Sequence, residues 1–95
     1  MDFEWDEKKN QSNIAKHGYD FKDVSKALLN SKFVYKYQSA YQEENRIVAI
    51  CTFSHDLIAI VYTLRSENIR IISVRKARKI ERKKYEEARR EHREI

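Results

Sequence analysis

Three apolar segments, separated only by gaps of three residues, constrain the fold of this 95-residue chain more than any other feature. They span 46–53, 57–65 and 69–75, and each is rich in the β-branched and aromatic residues that favour strands. The gaps at 54–56 and 66–68 have the length of hairpin connections. The sequence therefore predicts three consecutive strands that pair as antiparallel neighbours.

Side-chain alternation assigns faces to these strands. In the segment 69–75, strict alternation puts Ile72 and Val74 on one face and Ile71, Ser73 and Arg75 on the other. One face of the sheet is then apolar throughout, and the other becomes polar toward one end.

The rest of the chain predicts two helices near the start, one at the end and two further strands. Asp6 is placed to cap a first helix that ends at His17, just before Gly18, the only glycine of the chain. The other strands and helices are predicted at 3–5, 20–31, 33–37 and 77–92. Residues 38–45 are polar and predict a loop.

The predicted order is β-α-α-β-β-β-β-α, which belongs to the α+β class. We expect a small antiparallel sheet with two N-terminal helices and one C-terminal helix, mostly on one face. With 95 residues and no change of composition in the middle, the chain predicts a single domain, 1–95. Within it, 77–95 is a basic helix with a frayed end.

Positive charge is concentrated at the C-terminal end of the chain. The net charge is +5, and residues 65–95 hold twelve Lys or Arg against six Glu. This asymmetry indicates a polyanionic partner at that end, such as nucleic acid, an acidic protein or an anionic surface.

A single cysteine, Cys51, excludes an intramolecular disulfide and a cysteine-cluster metal site. With no long apolar run and no signal-peptide pattern, we expect a cytoplasmic protein with no membrane contact.

An ordered set of short motifs resembles the BrnT family of bacterial type II toxins. The motifs are Phe3-Glu4-Trp5-Asp6-Glu7-Lys8-Lys9, Ser12-Asn13-Ile14-x-Lys16-His17-Gly18, Phe21, Glu44-x-Arg46, Thr63-x-Arg65, Ile69-Arg70-Ile71-Ile72-Ser73-x-Arg75-Lys76-Ala77 and Glu81-Arg82-x-x-Tyr85-Glu86. They run from residue 2 to about residue 88, with 29–43 unplaced. Three positions depart from the family pattern: Ile47, where Trp or Phe is usual, and Ala49 with Ile50, where Ile-Gly is usual.

The resemblance implies a RelE/ParE-like fold and a metal-independent endoribonuclease that inhibits translation by cleaving RNA. It also implies a cognate BrnA-like antitoxin of the ribbon-helix-helix type, which brings the complex to operator DNA. Two other functions stay open. One is a non-catalytic, basic nucleic-acid-binding module, and the other is a toxin of the same fold that acts on a non-RNA target such as gyrase.

Cleavage of RNA by its own 2′-hydroxyl requires proton transfer and stabilisation of charge on the phosphate. Arg65 and Arg75 are predicted on neighbouring strands, on one face with Thr63 and Ser73, and are the candidates for a joint phosphate clamp. The alternative is that arginines at exposed strand ends only maintain solubility.

Three other residues are catalytic candidates with structural alternatives. His17 has the side chain suited to a proton shuttle, or it stabilises the end of the first helix. Glu81 could be a general base, or pair with Arg78 or Arg82. Tyr85, one turn further, could contact the substrate or pack on the sheet edge.

The remaining predicted substrate-binding residues are cations and one hydroxyl near the same strands. They are Arg46, Arg70, Ser73, Lys76, Arg78 and Arg82. The sequence shows no His/Asp/Glu cluster at metal-ligand spacing, no glycine-rich phosphate loop and no nucleophile elbow, so we expect no metal and no cofactor.

Overall fold

A computed structural model of the protein describes residues 2–40 and 45–93. Its elements follow the predicted order. They are β1 (Phe3–Trp5), α1 (Glu7–His17), α2 (Phe21–Asn30), β2 (Tyr35–Gln38), β3 (Ile47–Phe53), β4 (Asp56–Arg65), β5 (Asn68–Lys76) and α3 (Lys79–Arg93). Glu44 of the family motif and the last two residues of the predicted domain lie outside the described residues. No helix within the described part of the chain is long and apolar enough to cross a membrane.

The sheet has five strands in the order β1-β5-β4-β3-β2. The hairpins β3–β4 and β4–β5 are antiparallel, as predicted. The prediction of a wholly antiparallel sheet is wrong, because β1 pairs parallel to β5, with Glu4 opposite Arg70. Parallel neighbours need a long crossover rather than a hairpin, and α1 and α2 lie in the chain between β1 and the other strands.

A β-bulge in β5 overturns the predicted alternation. Val61 lies opposite Ser73 and Tyr62 lies opposite Ile71, which leaves Ile72 as the extra residue. Because of this extra residue, Ile71 and Val74 face the same side and belong to the same core cluster. Strict alternation had placed them on opposite faces.

The two faces of the sheet bury different cores. The face packed against α1 and α2 carries the larger core, which is built around the fully buried Phe21, Ile58, Ile60 and Val74. The opposite face carries a smaller core that includes Ile50, Ala59, Ala77 and Tyr85, and α3 packs there against β2 and β3. We call this second side the α3 face. Because α3 packs mainly at the β2–β3 end, the polar part of this face lies toward β4 and β5.

Local capping and a buried amide position α1. The Asp6 carboxylate accepts hydrogen bonds from the backbone of Lys8 (2.8 Å) and Lys9 (3.3 Å), as predicted for an N-cap. Gly18 ends the helix with a φ of 78°, the left-handed conformation that favours glycine. Asn13 is buried, and its side-chain oxygen accepts a hydrogen bond from the Val74 backbone (3.1 Å), which ties α1 to β5.

Candidate functional site

The first turn of α3 buries a carboxylate and exposes an aliphatic side chain. Glu81 is 3% exposed, whereas its neighbour Ile80 is 56% exposed. A Glu81 oxygen accepts a hydrogen bond from the backbone N–H of Arg78, just before the helix, at 2.7 Å. This is the contact that a third-position glutamate makes in a capping box. The cap fixes the carboxylate against the sheet.

Arg75 on β5 is the main partner of this carboxylate. Its Nη1 donates to Glu81 Oε1 at 2.7 Å, and its Nη2 donates to Glu81 Oε2 at 3.0 Å. A two-point pair of this kind fixes the plane of the guanidinium as well as its position. The predicted alternative for Glu81, an ion pair with Arg78 or Arg82, is replaced by the pair with Arg75, and Arg78 contributes its backbone instead.

Tyr37 on β2 completes the cluster. Its hydroxyl donates to Glu81 Oε2, so one carboxylate joins a strand at the sheet edge, a strand near the other edge and a helix. Sequence reasoning missed Tyr37, which lies 44 residues from its partner. The alternation of 33–37 predicted a half-buried strand and gave no signal for a polar contact.

Hydrogen bonds within this cluster shift the pKa values of its members. Burial alone raises the pKa of Glu81, but the hydrogen bonds from Arg75, the Arg78 backbone and Tyr37 outweigh it and lower the pKa to about 2. The pKa of Arg75 is raised, chiefly by its hydrogen bond to Glu81. Burial, and then the bond to Glu81, raises the pKa of Tyr37. At neutral pH the cluster therefore holds a carboxylate, a guanidinium and a neutral phenol.

A groove of about 450 Å³ opens beside this cluster on the α3 face. Three arginines line it, from three different parts of the chain: Arg46 before β3, Arg75 on β5 and Arg78 before α3. The other lining residues are Tyr37, Ser39, Ala40, Val48, Val61 and Ser73. Of the described residues that line the groove, three carry a guanidinium group, a group suited to binding an anion such as phosphate.

His17 lies in a separate small cavity. The cavity, about 210 Å³, is lined by Lys9, Ser12, Asn13, Lys16, His17, Ile72 and Ser73. His17 is exposed at the end of α1, on the opposite side of the sheet from Arg75. Ser73 is the residue that this cavity shares with the lining of the groove.

The predicted joint clamp of Arg65 and Arg75 does not form. Both lie on the α3 face of neighbouring strands, but Arg65 pairs with Asn68 and Arg75 pairs with Ala59. Six residues of β4 separate those two levels, a distance of about 20 Å at roughly 3.3 Å per residue. Arg65 is not among the residues that line the groove at Arg75.

Other candidates are dispersed as well. Arg70 forms an ion pair with Glu4 at 2.9 Å. Tyr85 shares the sheet-facing side of α3 with Glu81 but is buried in the smaller core, where its ring packs edge-on against Phe33 at 5.2 Å. Burial raises the pKa of Tyr85. This matches the structural alternative, packing on the sheet. Lys76 and Arg82 are exposed beyond the groove.

Within residues 2–40 and 45–93, no three His, Cys, Asp or Glu side chains lie together in a way that could hold a metal ion.

Comparison with known proteins assigns the family. No curated protein matches the chain significantly. The model of one family, described as the ribonuclease toxin BrnT of type II toxin–antitoxin systems, matches residues 5–81. The match begins at Trp5, the last residue of β1, and spans α1, α2, the strands β2 to β5 and the first turn of α3, including Arg46, Arg75 and Glu81. A type II toxin family implies an antitoxin as partner. The chain belongs to the BrnT family of ribonuclease toxins.

Proposed function

We propose that this protein is an endoribonuclease that cleaves RNA without a metal ion, in the groove between Arg46, Arg75 and Arg78. The observation that carries this proposal is the Arg75 guanidinium, held in the groove by two hydrogen bonds to the buried Glu81. We also propose that the fold is RelE/ParE-like, that the antitoxin is of the ribbon-helix-helix type, and that the complex binds operator DNA.

The reaction would use the substrate's own 2′-hydroxyl. Its oxygen forms a bond to the adjacent phosphorus, the bond from phosphorus to the 5′ oxygen breaks, and a 2′,3′-cyclic phosphate is left. One proton leaves the 2′-hydroxyl and one reaches the departing oxygen. The extra negative charge on the phosphate oxygens is what Arg75 and its two neighbours would stabilise.

Glu81 positions Arg75 and does not act as the general base. Both of its oxygens accept hydrogen bonds, and a carboxyl with a pKa of about 2 binds a proton too weakly to accept one efficiently near neutral pH. Tyr37 keeps its proton, because its raised pKa and its bond to Glu81 both favour the neutral phenol. Within the two cavities, His17 is then the proposed proton shuttle, and it would reach the substrate past Ser73.

The direct test is cleavage of a fluorescent RNA oligonucleotide by the full chain in the presence of EDTA. We expect fragments that end in a 2′,3′-cyclic phosphate, and we expect a 2′-deoxy substitution at the cleaved position to block the reaction. Arg75→Ala should lower the rate by about 10²–10³, the usual cost of one lost electrostatic contact. Cleavage that requires a divalent ion would refute the metal-free mechanism.

Two further variants separate chemistry from folding. Arg75→Ala leaves Glu81 buried without its main partner, so its urea midpoint must be measured alongside its activity. Arg75→Lys keeps the charge but lacks the planar fork, and it should fold better while remaining slow. Lys26→Ala, an exposed cation on α2 at the far side of the sheet, is the matched control and should cleave at the wild-type rate. Equal activity of all four proteins would refute the site.

A further inference from the structure

Four arginines are spread along the polar part of the α3 face, from the groove outward to the β4–β5 hairpin. We call Arg75, Arg46, Arg70 and Arg65 the arginine row. Arg70 lies between Ile69 and Ile71, which both face the α1–α2 core, so Arg70 faces the other side. It also pairs across the sheet with Thr63, on the same face.

Pairing places the other members at matching levels. Ile47 pairs with Tyr62, and the Ser39 backbone donates to the Arg46 carbonyl at 2.9 Å, which extends β3 by one residue. Arg46 therefore lies level with Thr63 and Arg70, four β4 residues from the level of Arg75 and two from that of Arg65. The row thus occupies three levels along β4, with Arg46 and Arg70 on either side of β4 at the middle level.

This part of the sheet is accessible. α3 packs mainly against β2 and β3, away from β1, β5 and the end of β4. The Arg70 side chain is 30% exposed, and Arg65 is exposed at the β4–β5 hairpin.

One acidic side chain organises the distal half of the row. Glu4 on β1 accepts hydrogen bonds from Asn68 (3.1 Å) and Arg70 (2.9 Å). These bonds lower the pKa of Glu4, and the nearby charge of Arg65 lowers it further. Glu4 thus contacts Arg70 through one hydrogen bond in a partly exposed ion pair, whereas Glu81 holds Arg75 by two hydrogen bonds.

We infer that the arginine row binds one strand of RNA, with the reacting phosphate at Arg75 and another phosphate of the same strand at Arg65. This inference rests on the proposed function, since it takes RNA as the ligand. Planar, permanently charged groups spread along one sheet face fit the repeating phosphates of a strand. At roughly 3.4 Å per nucleotide for a stacked strand, 20 Å spans about six nucleotides, and an extended strand spans it with fewer.

The contribution of Arg65 to RNA binding therefore depends on the length of the RNA. A trinucleotide held at Arg75 should not reach Arg65, whereas a 12-nucleotide strand should contact the whole row. Arg65 is then a distal binding residue and takes no part in bond breaking.

The test measures binding alone, so it does not depend on cleavage. Fluorescein-labelled 2′-O-methyl RNAs of 3 and 12 nucleotides would be titrated with wild type, Arg65→Ala, Arg65→Lys and Lys26→Ala, and followed by anisotropy at several salt concentrations. Arg65→Ala should weaken binding of the 12-mer about five- to tenfold more than that of the trimer. It should also reduce the salt slope for the 12-mer by about 0.7, the value for one lost phosphate contact on a single strand. Arg65→Lys should recover most of the loss, and Lys26→Ala should show none.

Two outcomes would overturn the inference. An equal loss on both lengths would place Arg65 at the reacting site or in a structural role. No loss beyond that of Lys26→Ala would leave an acidic protein as the ligand of these cations. The result also separates the two proposals: if 12-mer binding depends on Arg65 but the protein does not cleave RNA, the row stands and the ribonuclease proposal fails. If Arg75→Ala abolishes cleavage while Arg65→Ala does not change binding, the ribonuclease proposal stands and the inference about the arginine row fails.

Discussion

Replacing Glu81 by glutamine should destabilise the protein more than an ordinary surface substitution. Glutamine keeps the shape of the side chain but removes the negative charge of the carboxylate, which accepts hydrogen bonds from Arg75 and from the Arg78 backbone. The pKa of this carboxyl falls from 4.5 to about 2 on folding. At about 1.4 kcal/mol per pKa unit, that fall corresponds to a stabilisation on the order of 3 kcal/mol at neutral pH. For a domain of this size, the expected drop in Tm is about 10–20 °C.

The same reasoning fixes the pH dependence. The folded pKa lies below the unfolded one, so the contribution is fully present above about pH 4.5 and is lost as the pH falls toward 2. Glu81→Gln has no such group. The difference in unfolding free energy between wild type and variant should therefore narrow by about 2 kcal/mol between pH 5 and pH 3. Other carboxyls with lowered pKa values, such as Asp6 and Asp20, cancel in this difference.

Urea unfolding at pH 7, 5 and 3, followed by far-UV circular dichroism, would measure these quantities. Glu87→Gln, an exposed position on the same helix, is the matched control and should stay within about 0.5 kcal/mol of wild type. A Glu81→Gln loss below 1 kcal/mol at pH 7, or a gap that does not change with pH, would refute the assignment of Glu81 as a structural anion.

Two substitutions on α1 test how this helix is held. Gly18→Ala should destabilise the protein by about 1–2 kcal/mol, because a φ of 78° strains a residue with a Cβ. No atom lies within 4 Å of the added Cβ, so a steric clash does not contribute. An unchanged free energy of unfolding in urea would contradict this prediction. Asn13→Ala should cost about 1–3 kcal/mol, because it leaves the Val74 N–H without its side-chain acceptor. Hydrogen exchange at the Val74 amide should accelerate in Asn13→Ala, and an unchanged rate would contradict the contact.

Features fixed by neighbouring residues could be predicted from the sequence. The Asp6 cap, the end of α1 at Gly18 and the β3–β4–β5 meander each depend on a few consecutive side chains or a short gap. The partner of β1 could not be predicted, since a three-residue strand carries no signal for which sheet edge it joins.

The site was harder to predict than the fold, for an identifiable reason. The bulge at Ile72 shifts the register within β5, and the apolar pattern of 69–75 gave no sign of it. In the first turn of α3 the aliphatic Ile80 is exposed and the charged Glu81 faces the sheet, because Arg75 and Tyr37 satisfy the charge of Glu81 there. Arg65 and Arg75 lie on one face, as predicted, but the distance between them depends on how many residues of β4 separate their levels.

The contacts that orient Arg75 also hold α3 on the sheet. Glu81 bonds to β5 through Arg75, to β2 through Tyr37 and to its own helix start through Arg78. The rest of the interface between α3 and the sheet is covered by apolar residues such as Tyr85, which do not orient Arg75. The groove therefore gains its oriented guanidinium only when α3 is docked. A partner that displaced the first turn of α3 would disable the site without touching the groove itself, whereas a partner that covered the groove would leave Glu81 and the stability it provides intact. Measuring whether a bound antitoxin preserves the pH-dependent stability assigned to Glu81 would distinguish these two modes of inhibition.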